Sequence, residues 1–248
     1  MTLFRRLSHG RFLALLMSLF LIECLILAFN VFDRQDWLLE NVLVAVMLLF
    51  LVVSWKKFPF SRISYSMIFI FLALHELGSH YTYAEVPYDQ WFASLTGSSF
   101  NELIGWERNN FDRVIHFSYG LLIAYPIREV YLRIASAEGF WGYFLPLDLT
   151  MSTSMLYELI EWGAAEFFGG DLGVAYLGTQ GDVWDAQKDM ALASLGALLA
   201  MLLTLAVNRC VQRDFSREWA HSLKIKQPRP LGEDKFVRSL KGTDGHSK

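Results

Sequence analysis

Six apolar stretches punctuate the chain, at about 12–29, 38–55, 63–81, 111–131, 141–167 and 184–207. Each is long enough, at about 1.5 Å per residue, to cross a hydrocarbon layer of about 30 Å. Most of the segments between them are short and polar. The exception is 82–110, where Trp91, Phe92, Leu103, Ile104 and Trp106 are spaced among polar residues. That spacing predicts one or two short amphipathic helices lying at the interface as a lid. The pattern is that of an all-α, polytopic membrane helix bundle of about six transmembrane helices over residues 1–208, followed by a polar cytoplasmic tail, 209–248, that is partly disordered. The first stretch follows Arg5, Arg6 and Arg11 as a signal peptide would. It is long, however, and no small-x-small cleavage site follows it, so it reads as a retained span. The Gly-rich connection 169–181 predicts a compact turn, because its spacing fits no phosphate-binding loop.

Orientation follows from Lys and Arg in the connections. The N-terminal segment, the second-to-third connection (Lys56, Lys57, Arg62), the fourth-to-fifth (Arg128, Arg133) and the tail (Arg209, Arg213, Arg217) hold most of them. With six spans all four lie on one side, which places both termini in the cytoplasm. Composition agrees with a multi-span protein: 54% of residues are hydrophobic, only 19% are charged, and mean hydropathy is +0.30. The basic residues form no single stripe, so no nucleic-acid partner is expected. Cys24 and Cys210 lie at opposite ends of the sequence and imply no disulfide framework.

Against that apolar background, ionisable groups near the ends of four spans stand out. Glu76 and His80 are four residues apart, as are Asp112 and His116; Glu158 and Glu161 are three apart; Asp185 lies three after Asp182 and four before Asp189. Such pairs share a helix face. His75 is turned about 100° from the Glu76–His80 face, so its membership depends on rotation or a bend near Gly78. In the predicted topology each pair falls within about 10 to 15 Å of helix from the non-cytoplasmic end of its span. Carboxylates and imidazoles gathered at one depth would repel or stay unsatisfied without a neutralising cation. The residues therefore point to a divalent metal held by His75, His80, His116 and Asp112, with Asp185 and Asp189 next and Glu76 as a ligand or as an orienting partner of an imidazole. The donor set suits zinc first, with iron and manganese also fitting, better than copper(I) or calcium. Glu158 or Glu161 would act as general base on a metal-bound water. The start of a zincin motif at His75-Glu76 fails, because the next His comes one position late.

Plainer roles compete. Any one intramembrane His or Asp can be a helix-to-helix hydrogen-bonding group. Asp182 reads as an N-cap, Lys188 as the partner of a nearby acid, and Tyr81, Tyr83, Trp162 and Trp184 as belt residues at the interface. Glu23 reads as a bonding group within the bundle.

Four motifs, His75-Glu76-Leu77-Gly78-Ser79-His80-Tyr81, Asn110-Phe111-Asp112-Arg113-Val114-Ile115-His116-Phe117, Tyr157-Glu158-Leu159-Ile160-Glu161-Trp162 and 179–190, occur in this order. Together they resemble the YjdF family of bacterial inner-membrane proteins, over nearly the whole chain up to about Arg213. The resemblance implies a helical inner-membrane fold and leaves the chemistry open. The residues themselves favour a metal-dependent hydrolase that takes a lipid or lipid-linked substrate at the outer leaflet, with membrane lipids as partners. The alternatives are an ion or small-solute transporter, which would need polar groups continuing into the cytoplasmic half, and a metal-stabilised protein without turnover. Oligomeric state has no signature in the sequence.

Overall fold

The computed structural model describes residues 7–170 and 179–226, with nine helices and no strand among them. Six are long: α1 (His9–Leu27), α2 (Arg34–Ser54), α3 (Arg62–His80), α6 (Phe111–Ile134), α7 (Trp141–Phe168) and α8 (Asp185–Val211). Three are short: α4 (Tyr88–Thr96), α5 (Phe100–Ile104) and α9 (Phe215–Ser222). Of the long helices, α1, α2 and α8 are both long and apolar enough to cross a membrane. Polar side chains on α3 and α6 are turned inward: Ser64, His75, Glu76 and Ser79 of α3 and Ser118 of α6 are buried. Apolar side chains on the outer helices point away from the protein, among them Leu25 of α1 and Val53 of α2.

Local chemistry sets the helix starts. Ser8 Oγ accepts from the Arg11 amide, and Ser61 Oγ from the Ser64 amide. Asp33 accepts from the amides of Gln35 and Asp36 at 2.8 and 3.0 Å, so α2 begins four residues earlier than its apolar run. That early start brings Asp36 into the bundle one turn before Glu40, and both are buried.

The centre is α6, which packs on α3, α7 and α8, while α3 carries α1 and α2. Apolar association between helices is weak in lipid, so close approach of backbones matters more. A Cβ on Gly120 of α6 would collide with the Ala193 carbonyl of α8, and one on Gly196 with the Phe117 carbonyl. This contact brings the two helices together, running in the same direction. Eight residues before the Gly120–Ala193 contact, about 12 Å up each helix, stand Asp112 and Asp185. Likewise His116 and Asp189 lie four before it. The glycine contact thus sets the level at which the charged pairs meet.

At the far end of the bundle, Glu129 of α6 accepts from the Ser61 amide at 2.9 Å and the Ser64 hydroxyl at 2.6 Å, which ties α6 to the start of α3. Residues 215–222 of the tail are helical and docked. Glu218 accepts from the Gly139 amide at 2.9 Å, the Trp141 indole donates to the Ser222 carbonyl at 2.9 Å, and Trp219 packs edge-on against Phe140. The tail is therefore ordered at its start; residues 227–248, for which disorder is expected, lie outside the described residues, as do 171–178 of the Gly-rich connection.

Candidate metal centre

His116, Glu158 and Asp189 come from three helices, α6, α7 and α8. Each offers a ligand atom, and the three atoms lie within 4.8 Å of one another. Asp112, Asp185 and Asp189 form a second such group, so Asp189 belongs to both. His116 Nδ1 stands 3.6 Å from Glu158 Oε1. Asp189 is 4% exposed, and its Oδ1 has no hydrogen-bond partner among the described residues. Such orphaned carboxylate oxygens are costly in a buried setting, and a shared cation satisfies them directly. One imidazole with two carboxylates is a donor set that zinc, iron or manganese accepts. Ligands about 2.1 Å from one tetrahedral ion stand about 3.4 Å apart, so the group would draw together on binding.

The two groups differ in their neighbours. Around Asp185, protein cations already supply the positive charge. Arg108 binds Asp185 directly and Asp112 at 3.4 Å, while Arg113 lies 3.3 Å from Asp185 and 2.5 Å from Asp182. Lys188 also reaches Asp182, at 2.5 Å. The Lys188 ammonium first, and then the Trp184 amide, hold the Asp182 carboxyl down at about 2. Asp182 is not the N-cap residue of α8. It accepts from the Trp184 amide two positions on, the geometry of an Asx turn. The His116–Glu158–Asp189 group has no Arg or Lys bonded to it among the described ion pairs and is the better place for a metal.

Of the remaining residues expected at the site, His75 and Glu161 line the same cavity as these groups. His75 Nδ1 pairs with the Tyr83 hydroxyl at 2.8 Å, and its Nε2 lies 3.4 Å from the Glu40 carbonyl. Glu161 lies against Tyr157 and Glu158. Glu76 and His80 are not brought to the cluster. Both face α1: Glu76 is fully buried beside Cys24, and His80 Nδ1 bonds the Leu27 carbonyl at 2.7 Å. The reason is the helical rotation between positions 75 and 76. Once His75 faces the cavity, a regular helix turns Glu76 about 100° and His80 about 140° away.

Spacing alone did not reveal several members. Glu40 Oε2 accepts from the hydroxyls of Tyr157 at 3.1 Å and Tyr83 at 3.3 Å. Its signal was its spacing, four residues after Asp36. Tyr83 is no belt residue. Its ring folds over Gly78, where any Cβ would strike it, and it follows two successive left-handed residues, Thr82 at φ 52 and Tyr83 itself at φ 53. Burial first, and then the Glu40 carboxylate, raise the Tyr83 phenol well above its ordinary value.

All three polar groups line a single cavity of about 830 Å³ bounded by α2, α3, α6, α7 and α8. The connection to α6 folds against this end. Asp89 of α4 accepts from the Ser99 hydroxyl and from the Asn101 amide at 2.9 Å, and the Tyr88 hydroxyl donates to Asn101.

The family model described as a predicted membrane protein, DUF2238, matches residues 12–209. The inner membrane protein YjdF of Escherichia coli (strain K12) is 36% identical over 181 residues, which cover 73% of this chain and 82% of that protein. No solved structure matches.

Proposed function

The chain belongs to the DUF2238 family of membrane proteins, and from that premise we propose that it is a six-span inner-membrane enzyme with a divalent-metal centre at the outer end of its bundle. In this reading α1, α2, α3, α6, α7 and α8 are the spans, and both termini are cytoplasmic. The basic inner connections support that orientation. Beneath the site Leu72, Ile123 and Ala197 are buried, and the buried polar side chains at that depth, Ser118, Thr150 and Ser154, carry no charge. A proton or metal-ion path would need ionisable groups at that level.

The observation that carries the reading is the convergence of His116, Glu158 and Asp189 on one point, with a buried Asp189 oxygen left unpartnered. These three residues hold the metal, and Asp112 and Asp185 offer a second position that shares Asp189. Zinc is the first choice, with iron or manganese as alternatives. The reaction is hydrolysis of a lipid or lipid-linked ester, amide or phosphoester. A divalent ion held by these residues would supply Lewis-acid activation of a water near Glu161. Glu161, beside the ligand Glu158, takes the proton from that water and returns it to the leaving group. Of the two glutamates expected as base, Glu158 is thereby a ligand and Glu161 the base.

Elemental analysis of the purified protein tests this. Zinc, iron or manganese near one or two per chain is expected in the parent, with loss in His116→Ala and Asp189→Asn and retention in His80→Ala. A metal-free parent overturns the reading. If metal is present, release of water-soluble or free acyl products from radiolabelled inner-membrane lipids, absent in Glu161→Gln, identifies the hydrolase. Metal-dependent solute uptake into proteoliposomes without lipid cleavage identifies a transporter instead.

A further inference from the structure

The cavity does not end at the polar cluster. From Glu40 its α2 wall continues through Val46 to Phe50, ten residues or about 15 Å further along the helix. The facing α7 wall runs from Glu161 and Glu158 through Leu156 and Met155 to Thr153, about 8 Å below Glu158. α2 packs on α3 and α7 on α6 and α8, and the space between α2 and α7 is this cavity. Its apolar walls remain open: Val46 is 59% exposed, Phe50 51% and Met155 49%. In a span such openness faces hydrocarbon, so the cleft is a side door to the bilayer. One hollow therefore joins a carboxylate and imidazole end to an apolar trough of membrane depth. Its volume of about 830 Å³ falls in the range of about 300–1,000 Å³ usual for ligand pockets.

We infer that the α2–α7 cleft holds the acyl chain of a membrane phospholipid, which enters sideways from the outer leaflet and lays its ester linkage at the polar cluster. This deepens the hydrolase reading and rests on it for the role of that cluster. The apolar trough is a separate observation. Polarity matches along α2: the glycerol ester and headgroup meet Glu40, Tyr83 and the metal ligands, and the methylenes meet Val46, Met47 and Phe50, with Leu156 and Met155 of α7 facing the upper part of the trough. A water-soluble substrate would leave the trough without an occupant.

The test uses the full chain in proteoliposomes that contain phosphatidylglycerol with a diazirine in its acyl chain, followed by photolysis and peptide mapping. Labelling of peptides 43–50 and 155–160 above that of 19–27, which lies on the lipid-exposed α1, supports the cleft. The double variant Val46→Trp with Leu156→Trp fills the trough, and labelling of both peptides should fall to the α1 level while that of 19–27 stays unchanged. Uniform labelling of the parent along α1, α2 and α7 overturns the inference, and this comparison needs no variant to fold. Metal content of the same sample separates the two readings. Enriched cleft labelling without metal sinks the metal centre and leaves the cleft; stoichiometric metal with uniform labelling sinks the cleft and leaves the centre.

Discussion

Tyr83 shows how much a single side chain can organise. Its hydroxyl bonds both His75 and Glu40, and it reaches them because Gly78 leaves its ring room to fold back over α3. Tyr83→Phe removes the hydroxyl and leaves a buried imidazole nitrogen and a carboxylate oxygen short of a partner. Thermal unfolding should show a loss of about 1–3 kcal/mol. Asp89 acts at the surface. The Asn101 amide first, and then the Ser99 hydroxyl, lower its carboxyl below the ordinary 3.8. A group whose folded pKa is depressed stabilises the fold above its unfolded value and loses that contribution as pH falls through the folded one. Protease resistance of segment 88–104 should therefore be level above about pH 4 and decline in more acidic solution. Asp89→Asn should abolish that dependence; an unchanged acid decline in the variant would refute the assignment.

Among the elements, the α6–α8 pair matters most, because its glycine contact sets the level of Asp112, His116, Asp185 and Asp189. Gly120→Leu would force the backbones apart, with a cost of at least about 1–3 kcal/mol, and should reduce bound metal. Gly163→Leu, at a position with nothing near its Cβ, should leave both unchanged. If metal content survives Gly120→Leu, the register argument fails. Much of this level was legible in the residues. Apolar runs marked the six long helices, and i, i+4 spacing paired Asp112 with His116 and Asp185 with Asp189. Rotation was not legible. Spacing could put Glu76 and His80 on one face of α3 but could not say that His75, on another face, would be the one turned to the cavity. Nor did hydropathy reveal α2's true start, since Asp33 lies outside the apolar run and extends the helix by capping, which brings in Asp36. Arg108 and Arg113 also escaped notice, because their partner Asp185 lies more than 70 residues away.

For the whole molecule, orientation decides which leaflet feeds the site. A membrane-impermeant maleimide applied to cells with permeabilised outer membranes should label Ser98→Cys, between α4 and α5. The native Cys210, exposed at the end of α8, should be reached only after the inner membrane is opened. The reverse result would place the metal centre on the cytoplasmic side and transfer the lipid supply to the other leaflet.

The parallel pairing of α6 with α8 also governs biogenesis. One wall of the centre is translated some seventy residues before the other, and α7 is made before the α6–α8 contact can close. A nascent chain stalled ahead of position 185 has imidazole and carboxylate groups already in the bilayer with no Asp189 to complete their coordination. If the proposed metal centre holds, late insertion of the C-terminal span is then the step that completes its ligand set.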